Sequence, residues 1–279
     1  MRHKLFWITA CLATAFAVYF FANLPMLYER VKLDRSYPAL SRYIFERTPD
    51  TVLAGTSMTL RISEGYFSIP LRNVSISGRS SLTGLSIIAS YQSLPSLILV
   101  EVNVMSWGVD PVYVEQFGKN DAESYRWFRP ARALISYVYH WIKHKSESNN
   151  VARLPLLEPS EYEISDELNA AREEYDNPGF DKLIKLDTDT LKQLVTDLES
   201  RGSKVLLYEL PYPGNLGESR YATTVRGLAR ETFPAEKWLK LRLPTDQLRW
   251  TDAAHLDPRS AIIVAKEIES AIRARSSRS

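Results

Sequence analysis

The chain has 279 residues, of which 45% are hydrophobic and 24% are charged, a composition typical of a globular protein and not of a disordered one. Its formal net charge is +2, and the basic residues are mixed with acidic ones, which argues against nucleic-acid binding. The single cysteine, Cys11, lies in an apolar N-terminal stretch. The rest of the chain therefore has no disulfide, no cysteine nucleophile and no cysteine-based zinc site.

An apolar stretch without charged residues covers positions 5–28 and follows a short basic terminus at positions 1–4. A helix of about 20 residues is long enough to cross the hydrocarbon core of a bilayer, so this stretch predicts a transmembrane signal anchor. The alternative is a cleaved signal peptide with Ala15-Phe16-Ala17 as its cleavage site. Cleavage there would leave Val18-Tyr19-Phe20-Phe21 exposed at the new terminus, and we therefore favour the uncleaved anchor.

The charges that flank this stretch bear on its orientation. Arg2 and Lys4 favour a cytoplasmic N-terminus, although Arg30, Lys32 and Arg35 on the other side reduce the asymmetry. We expect a single-pass protein of the inner (cytoplasmic) membrane, with its body in the periplasm or outside the cell.

After a charged connector at residues 29–49, short apolar runs alternate with helical patterns. This alternation predicts an α/β domain at residues 50–272, doubly wound around a mostly parallel sheet, followed by a disordered tail at 273–279. The predicted strands are 52–54, 73–78, 97–103, 204–210 and, more weakly, 238–243, and the predicted helices are 58–63, 81–93, 189–200 and a last one from 258.

The strand at 97–103 is the clearest, because its nearly continuous Leu, Ile and Val run is typical of a parallel strand covered on both faces. The interval from about 110 to 187 does not fit the alternation and is rich in Tyr, Trp, Arg and Glu, so we expect an inserted helical cap there. Asp257 and Pro258 have the residue types of a helix cap and first turn, which predicts that the last helix begins at this point.

Candidate site residues lie at or just past the ends of three predicted strands. Ser57 comes just after the first, Gly78 ends the second and Asn103 ends the third, while His255 lies in the loop before the last helix. Because ligands bind beyond the carboxyl ends of the strands in an open α/β sheet, we expect these residues to meet at one edge.

These residue types fit nucleophilic acyl transfer. A serine hydroxyl needs a base to remove its proton, and His255 is suited to that role for Ser57, with Asp252 holding the other ring nitrogen. The predicted catalytic residues are therefore Ser57, Asp252 and His255. The backbone N–H groups of Ser57 and Gly78 and the Asn103 side-chain amide are the predicted donors of an oxyanion hole.

Structural roles compete with each of these assignments. Ser57 is also suited to capping the helix that follows, Asn103 to capping a turn, and a chance Asp-x-x-His is common. His140 and His144 have the spacing of a metal-binding pair, but no third ligand is near in sequence, and a solvated helix face is favoured. Three arginines are similarly a cationic ridge for an anionic substrate or a solvated face: Arg126, Arg129 and Arg132. No cofactor and no metal are expected.

In order along the chain, these segments resemble the conserved blocks of the SGNH/GDSL superfamily of esterases, lipases and O-acyltransferases. Ala54-Gly55-Thr56-Ser57 resembles the nucleophile turn, 73–78 the block that ends in the oxyanion glycine, and Glu101-Val102-Asn103 the block with the oxyanion asparagine. Asp252-Ala253-Ala254-His255-Leu256 is similar to the block that supplies the other two triad members. The resemblance spans about residues 50–272, apart from the cap, and implies a flavodoxin-like SGNH fold.

Three positions depart from the usual pattern of these blocks. Thr56 stands where the first block has Asp, and the third block's Gly-x-Asn-Asp is changed by Glu101 in place of the glycine and Val104 in place of the last aspartate. With these departures, the blocks resemble those of membrane-anchored periplasmic polysaccharide O-acetyltransferases of the alginate acetyltransferase type. That resemblance implies a glycan substrate, an acyl donor and a multi-spanning membrane acyltransferase as a partner.

The leading function hypothesis is thus a membrane-anchored serine O-acyltransferase or O-acylesterase, with acetyl as the expected group, acting on a cell-envelope or exported polysaccharide. Hydrolysis and transfer differ only in the acceptor and are not separated by the sequence. The alternative is a non-catalytic glycan-binding or assembly scaffold on the same fold. A nucleotide-binding protein is disfavoured, because neither Gly-x-Gly-x-x-Gly nor a P-loop follows the first strand.

Overall fold

The computed structural model describes residues 6–17, 19, 36–45, 49–118, 138, 142, 151–154 and 157–276. Of the predicted anchor, residues 6–17 are helical. Among the described residues, no helix combines the length and the apolar character required to cross a membrane. Much of the predicted cap and the end of the predicted tail lie outside the described residues.

A four-stranded parallel sheet organises the domain. Its strands are β1 (Thr51–Ala54), β2 (Arg72–Asn73), β3 (Leu97–Glu101) and β4 (Lys204–Tyr208), in the spatial order β2-β1-β3-β4. The chain moves from β1 to one neighbour, β2, and then returns to the opposite side of β1 to form β3. The carboxyl ends of β1 and β3 therefore flank a topological switch point, which is the usual ligand site of such sheets.

Helices cover both faces of this sheet, so the prediction of an α/β fold with a parallel sheet is confirmed. The helices are α1 (Ser36–Phe45), α2 (Ser57–Leu60), α3 (Ser81–Ala89), α4 (Pro111–Phe117), α5 (Ser165–Tyr175), α6 (Asp181–Ser200), α7 (Arg220–Thr232) and α8 (Pro258–Ser276). Short 3-10 helices lie at Glu64–Tyr66, Pro178–Phe180, Leu216–Glu218, Ala235–Lys237 and Thr245–Gln247.

Alternate strand residues point to two separate apolar cores. In β3, Ile98 and Val100 pack into the core formed with α1, α3, α6 and α7, whereas Leu99 packs into the core formed with α8. Both faces of the strand are buried, which is the physical reason for its nearly continuous apolar sequence. The predicted inner face of α8 is buried at every position: Ala261, Val264, Ala265, Ile268 and Ile272.

Several element boundaries differ from the sequence prediction. Helix α6 begins at Asp181 instead of 189, and Ile184 in its first turns is buried, so the end of the predicted cap belongs to a helix of the core. Helix α1 lies in the predicted connector, and its Leu40 and Tyr43 belong to the same core. At the start of α6 the apolar residues do not mark one face of the helix, because Leu183 and Leu186 are 43% and 60% exposed while Ile184 is buried.

The second and fifth predicted strands are much reduced. β2 covers only Arg72–Asn73. Beyond it the chain still follows β1, with the Val74 N–H donating to Leu53 O at 2.9 Å and the Ile76 N–H to Gly55 O at 3.1 Å, but the Ser75 and Ser77 N–H groups donate to the side chains of Asn73 and Ser36. The predicted strand at 238–243 makes a single bridge, between Trp238 and Leu207 of β4, and no strand. The prediction of a strand there was wrong.

Candidate active site

The carboxyl end of β1 leads directly into a tight turn and the start of α2. Thr56 has extended backbone angles and caps α2, with its hydroxyl accepting a hydrogen bond from the Met58 N–H at 3.1 Å. Ser57 is the first residue of the helix, so its N–H has no acceptor within the helix. The cap of α2 is thus Thr56, and the competing role of Ser57 as a helix cap is excluded.

The loop before α8 is held by its own backbone. Trp250 and Leu256 form an antiparallel bridge, and the Thr251 N–H donates to His255 O at 2.8 Å. Inside this loop, Asp252 Oδ1 accepts hydrogen bonds from the N–H groups of Ala254 and His255, both at 2.8 Å. Asp252 is therefore fixed by the turn that it forms, and it leaves its second oxygen for the imidazole.

These two segments, remote in sequence, meet at the sheet edge. His255 Nε2 lies 2.8 Å from Ser57 Oγ, across a sequence separation of 198 residues. On the other side of the ring, Nδ1 lies 2.7 Å from Asp252 Oδ2 and 2.9 Å from Oδ1. The structure thus brings Ser57, His255 and Asp252 into one continuous chain of hydrogen bonds.

The three groups remain accessible from solvent. The side chains of His255 and Asp252 are 21% and 39% exposed. Burial alone would raise the pKa of Asp252, but hydrogen bonds from the His255 ring and from the Ala254 and His255 N–H groups outweigh it and keep that pKa below its ordinary value. Asp252 is consequently a carboxylate at neutral pH, able to orient the imidazole and to stabilise its protonated form.

Two backbone N–H groups near Ser57 are open. The Ser57 N–H is free of helix bonding for the reason given above, and no backbone acceptor in the described residues takes up the Gly78 N–H. Gly78 has φ +67°, a conformation that favours glycine, and the space where a Cβ would stand is empty. Neither N–H group is taken up by a backbone acceptor among the described residues, and their role as oxyanion donors stays a prediction.

The side-chain amide of Asn103 is already engaged in hydrogen bonds. Its side-chain nitrogen donates to Leu210 O and its oxygen accepts from the Leu210 N–H, both at 2.8 Å, and the side chain is 1% exposed. Its backbone oxygen accepts from the Tyr212 hydroxyl at 2.9 Å. Asn103 thus joins the ends of β3 and β4. Its other amide hydrogen is uncommitted, and its role in the oxyanion hole stays a prediction.

An exposed tryptophan lies in the loop that follows β3. Trp107 is 51% exposed, although the loop around it is firmly held: the Met105 N–H donates to the Tyr221 hydroxyl and the Gly108 N–H to Asp187 Oδ2, each at 2.8 Å. The Ser80 hydroxyl also donates to Gly108 O, which places the loop beside the turn that contains Gly78. Trp107 was not among the predicted site residues, although an aromatic residue just beyond a strand end was a visible signal in the sequence.

The remaining sequence candidates have no described geometry. His140, His144, Arg126, Arg129 and Arg132 lie outside the described residues. Within the described part of the chain, no group of three or more His, Cys, Asp or Glu side chains is arranged to hold a metal ion.

Comparison of the chain with family models, with curated proteins and with solved structures finds no match.

Proposed function

We propose that this protein is a serine O-acyltransferase or O-acylesterase that moves an acyl group, in the first place acetyl, through an acyl-enzyme on Ser57. The observation that carries the proposal is the hydrogen-bonded chain from Ser57 Oγ through His255 to Asp252. The open N–H groups of Ser57 and Gly78 support it, because acyl transfer needs donors for the oxyanion of its tetrahedral intermediates.

The chemistry follows from the contacts of His255. Its Nε2 accepts the Ser57 hydroxyl proton as Oγ attacks the carbonyl carbon of the donor ester. The imidazolium then returns the proton to the leaving-group oxygen as the bond between that oxygen and the carbonyl carbon breaks. The acyl group remains on Ser57. In the second half, His255 deprotonates an acceptor hydroxyl or water as its oxygen attacks the acyl carbon. The imidazolium then returns that proton to Ser57 Oγ as the bond between the acyl carbon and Oγ breaks, and the acylated acceptor or the free acid leaves.

The setting that we propose for this reaction follows the resemblance stated above. On that proposal the fold is of the SGNH type, the N-terminal segment is an uncleaved anchor in the inner membrane, and the body acts outside the cytoplasm. The acceptor is then a hydroxyl of a cell-envelope or exported polysaccharide, and a multi-spanning membrane acyltransferase is the proposed source of acyl groups. The order of the matching segments and the parallel sheet support this proposal.

The first experiment asks whether Ser57 carries the acyl group. The purified full-length protein, mixed with p-nitrophenyl acetate and quenched during turnover, is expected to gain one acetyl group on the peptide that contains Ser57. Intact-mass and peptide mass spectrometry measure this adduct. A burst of one p-nitrophenol released per protein molecule, with no acetyl group on the peptide that contains Ser57, would contradict the acyl-enzyme.

Trp107 offers a test of the acceptor. An indole face that is exposed on a fixed loop is suited to stack on a sugar ring, because the burial of such a face costs little conformational entropy. We expect Trp107→Ala to raise the KM for an oligosaccharide acceptor by roughly 10-fold, equivalent to about 1.4 kcal/mol of binding. The rate of Ser57 acetylation by p-nitrophenyl acetate is expected to stay unchanged.

The matched control is Trp107→Phe, which keeps an aromatic face. It is expected to keep a KM close to that of the wild-type protein, measured with the best acceptor from a panel of neutral and acidic oligosaccharides. An unchanged acceptor KM in Trp107→Ala would remove Trp107 from the acceptor site without affecting the assignment of Ser57.

A further inference from the structure

A buried carboxyl group lies under the turn that carries Ser57. Glu101, the last residue of β3, has no exposed surface. Its Oε2 accepts hydrogen bonds from the Thr56 N–H at 2.9 Å, the Thr59 hydroxyl at 2.7 Å and the Thr59 N–H at 3.3 Å. The Thr56 hydroxyl lies 3.0 Å from both carboxyl oxygens. Glu101 therefore holds the residue before Ser57 and the residue two positions after it.

The directions of these hydrogen bonds require an acceptor at position 101. The Thr56 hydroxyl accepts from the Met58 N–H, so its own hydrogen is free to point at Glu101. The Thr59 hydroxyl lies 2.7 Å from the Tyr208 hydroxyl, which supplies a hydrogen to Thr59 when Thr59 donates to Glu101. Two backbone N–H groups and two hydroxyls thus converge on one carboxyl group, which accepts all four in its ionised form.

This arrangement is costly, which distinguishes it from a stabilising ion pair. The hydrogen-bond partners of Glu101 are all uncharged. Burial raises the pKa of Glu101, and the hydrogen bonds from Thr56 and Thr59 oppose that rise only in part. A buried charge without a cation lowers stability, and an apolar or amide side chain would fill a core position at less cost.

A second buried carboxylate provides the contrast. Glu64 is paired with Arg42 at 2.5 Å and with Arg72 at 2.8 Å, and it accepts from the Asn73 N–H at 2.9 Å. Burial raises the pKa of Glu64, but the two arginines and the hydrogen bonds outweigh it, and the net pKa is below its ordinary value. Glu64 thus joins α1, β2 and a 3-10 helix, as a structural ion pair does. Among the described residues, the hydrogen bonds of the Glu101 carboxyl group instead all go to Thr56 and Thr59 in the turn that carries Ser57.

The fit between the turn and the carboxylate is close. A Cβ on Gly55 would stand 2.6 Å from Thr59 Cβ and 2.7 Å from Glu101 Oε2, shorter than real contacts allow. The turn can therefore rest on Glu101 only because position 55 is glycine. This packing of the turn against Glu101 also affects the position of Ser57 Oγ relative to His255, since Ser57 lies between the two threonines that Glu101 binds.

We propose that Glu101 is a positioning residue for the nucleophile, which sets the place of Ser57 Oγ against His255 by binding the backbone and hydroxyls of Thr56 and Thr59. This rests on the proposed function, in which Ser57 is the nucleophile. Glu101 does not touch the reacting atoms, and it acts through the turn. A misplacement of reacting groups by about 1 Å lowers rates by about 100-fold, so a small shift of this turn has a large effect.

The test compares Glu101→Gln with Glu64→Gln in the full-length protein. Glutamine keeps the size of the side chain but offers one acceptor oxygen and an amide nitrogen among four donors. For Glu101→Gln we expect kcat for acetyl-ester turnover to fall by 10- to 100-fold, with KM within a factor of two. Labelling of Ser57 by a fluorophosphonate probe is expected to slow by a similar factor. Glu64→Gln is expected to lower the Tm and to leave kcat per folded molecule unchanged.

A double-variant cycle checks that the effect passes through the turn. Thr59→Val removes one donor to Glu101 and is expected to lower kcat in the same direction. Because the two residues act together, Glu101→Gln and Thr59→Val combined are expected to cost less than the product of the single effects. Fully multiplicative losses would show that the two residues act independently and would overturn the proposal.

The outcomes separate the two proposals. If the fluorophosphonate labels wild-type Ser57 and labels Glu101→Gln at the same rate, Glu101 has no positioning role and the nucleophile assignment stands. If the probe and the acetyl ester both fail to modify Ser57 in the wild-type protein, the proposed function itself fails. A loss of activity in Glu101→Gln that only follows the loss of folded protein, monitored by circular dichroism, would reduce Glu101 to a structural residue.

Discussion

Replacing Ser57 with alanine is expected to lower kcat for p-nitrophenyl acetate hydrolysis by about 10⁵- to 10⁶-fold, the scale seen when a triad nucleophile is removed. Alanine has no oxygen to receive the acyl group. It also removes the hydroxyl that lies 2.8 Å from His255 Nε2, so the imidazole has no proton to accept. The residual rate comes from binding and from the open N–H groups of Ser57 and Gly78, which the substitution leaves in place.

The measurement is steady-state turnover together with the intact mass after quenching. Ser96→Ala is a matched control, because Ser96 lies before β3 at the opposite edge of the sheet, where its hydroxyl donates to Asp50 O at 2.9 Å. It is expected to keep wild-type turnover. Full turnover by Ser57→Ala, with an unchanged Tm, would exclude Ser57 as the nucleophile and would leave the scaffold hypothesis as the better one.

Asp252→Asn is expected to lower kcat by about 10⁴-fold while the loop keeps its shape. The asparagine oxygen can take the place of Oδ1, which accepts from the Ala254 and His255 N–H groups. Its amide nitrogen then faces His255 Nδ1, at the position where Oδ2 now lies at 2.7 Å. A donor at that position forces the hydrogen of the neutral imidazole onto Nε2, which can no longer accept the Ser57 proton.

The readout for Asp252→Asn is the rate of Ser57 modification by a fluorophosphonate, with the Tm as a check on folding. Asp246→Asn serves as the control, because Asp246 lies in a nearby 3-10 helix and its side chain makes no contact with His255. Equal modification rates in the wild-type protein and in Asp252→Asn would mean that the carboxylate does not orient the imidazole.

The lowered pKa of Asp252 also determines how its contribution to folding stability changes with pH. A carboxyl whose folded pKa lies below its unfolded pKa contributes stability above the unfolded value and loses that contribution as the pH falls through the folded value. In Asp252→Asn this part of the acid dependence is removed. The difference in stability between the wild-type protein and the variant is therefore expected to shrink as the pH is lowered below the ordinary range of an aspartate.

The sequence was a better guide to the candidate site residues than to the boundaries of the helices and strands. Ser57, Gly78 and Asn103 were placed by the rule that polar residues at parallel strand ends meet at one edge, and the apolar runs that define β1, β3 and β4 are unambiguous. Helix α6 begins earlier than predicted, and the apolar residues of its first turns do not mark one buried face: Leu183 and Leu186 are exposed, whereas Ile184 is buried. Without a consistent apolar face, the sequence shows no helical period there.

The contacts of Glu101 and Asn103 were beyond sequence reasoning for a different reason. Glu101 binds Thr56 across 45 positions and Asn103 binds Leu210 across 107, and nothing in the local pattern selects those partners. Glu101 is visible in the sequence as a charged residue at the end of an otherwise apolar strand, but it was interpreted only as a departure from a family pattern. The structure relates two of the three departures: Thr56 supplies donors, and Glu101 supplies the carboxylate that receives them.

The separation of Ser57 and His255 in the chain has a consequence for the timing of activity during synthesis. The nucleophile turn is made early, and its base arrives 198 residues later, in the loop just before α8. On the proposed function, a nascent chain that has completed only the first three strands still lacks the base for Ser57. Esterase activity is then expected to appear only when the loop before α8 has folded against the turn that carries Ser57.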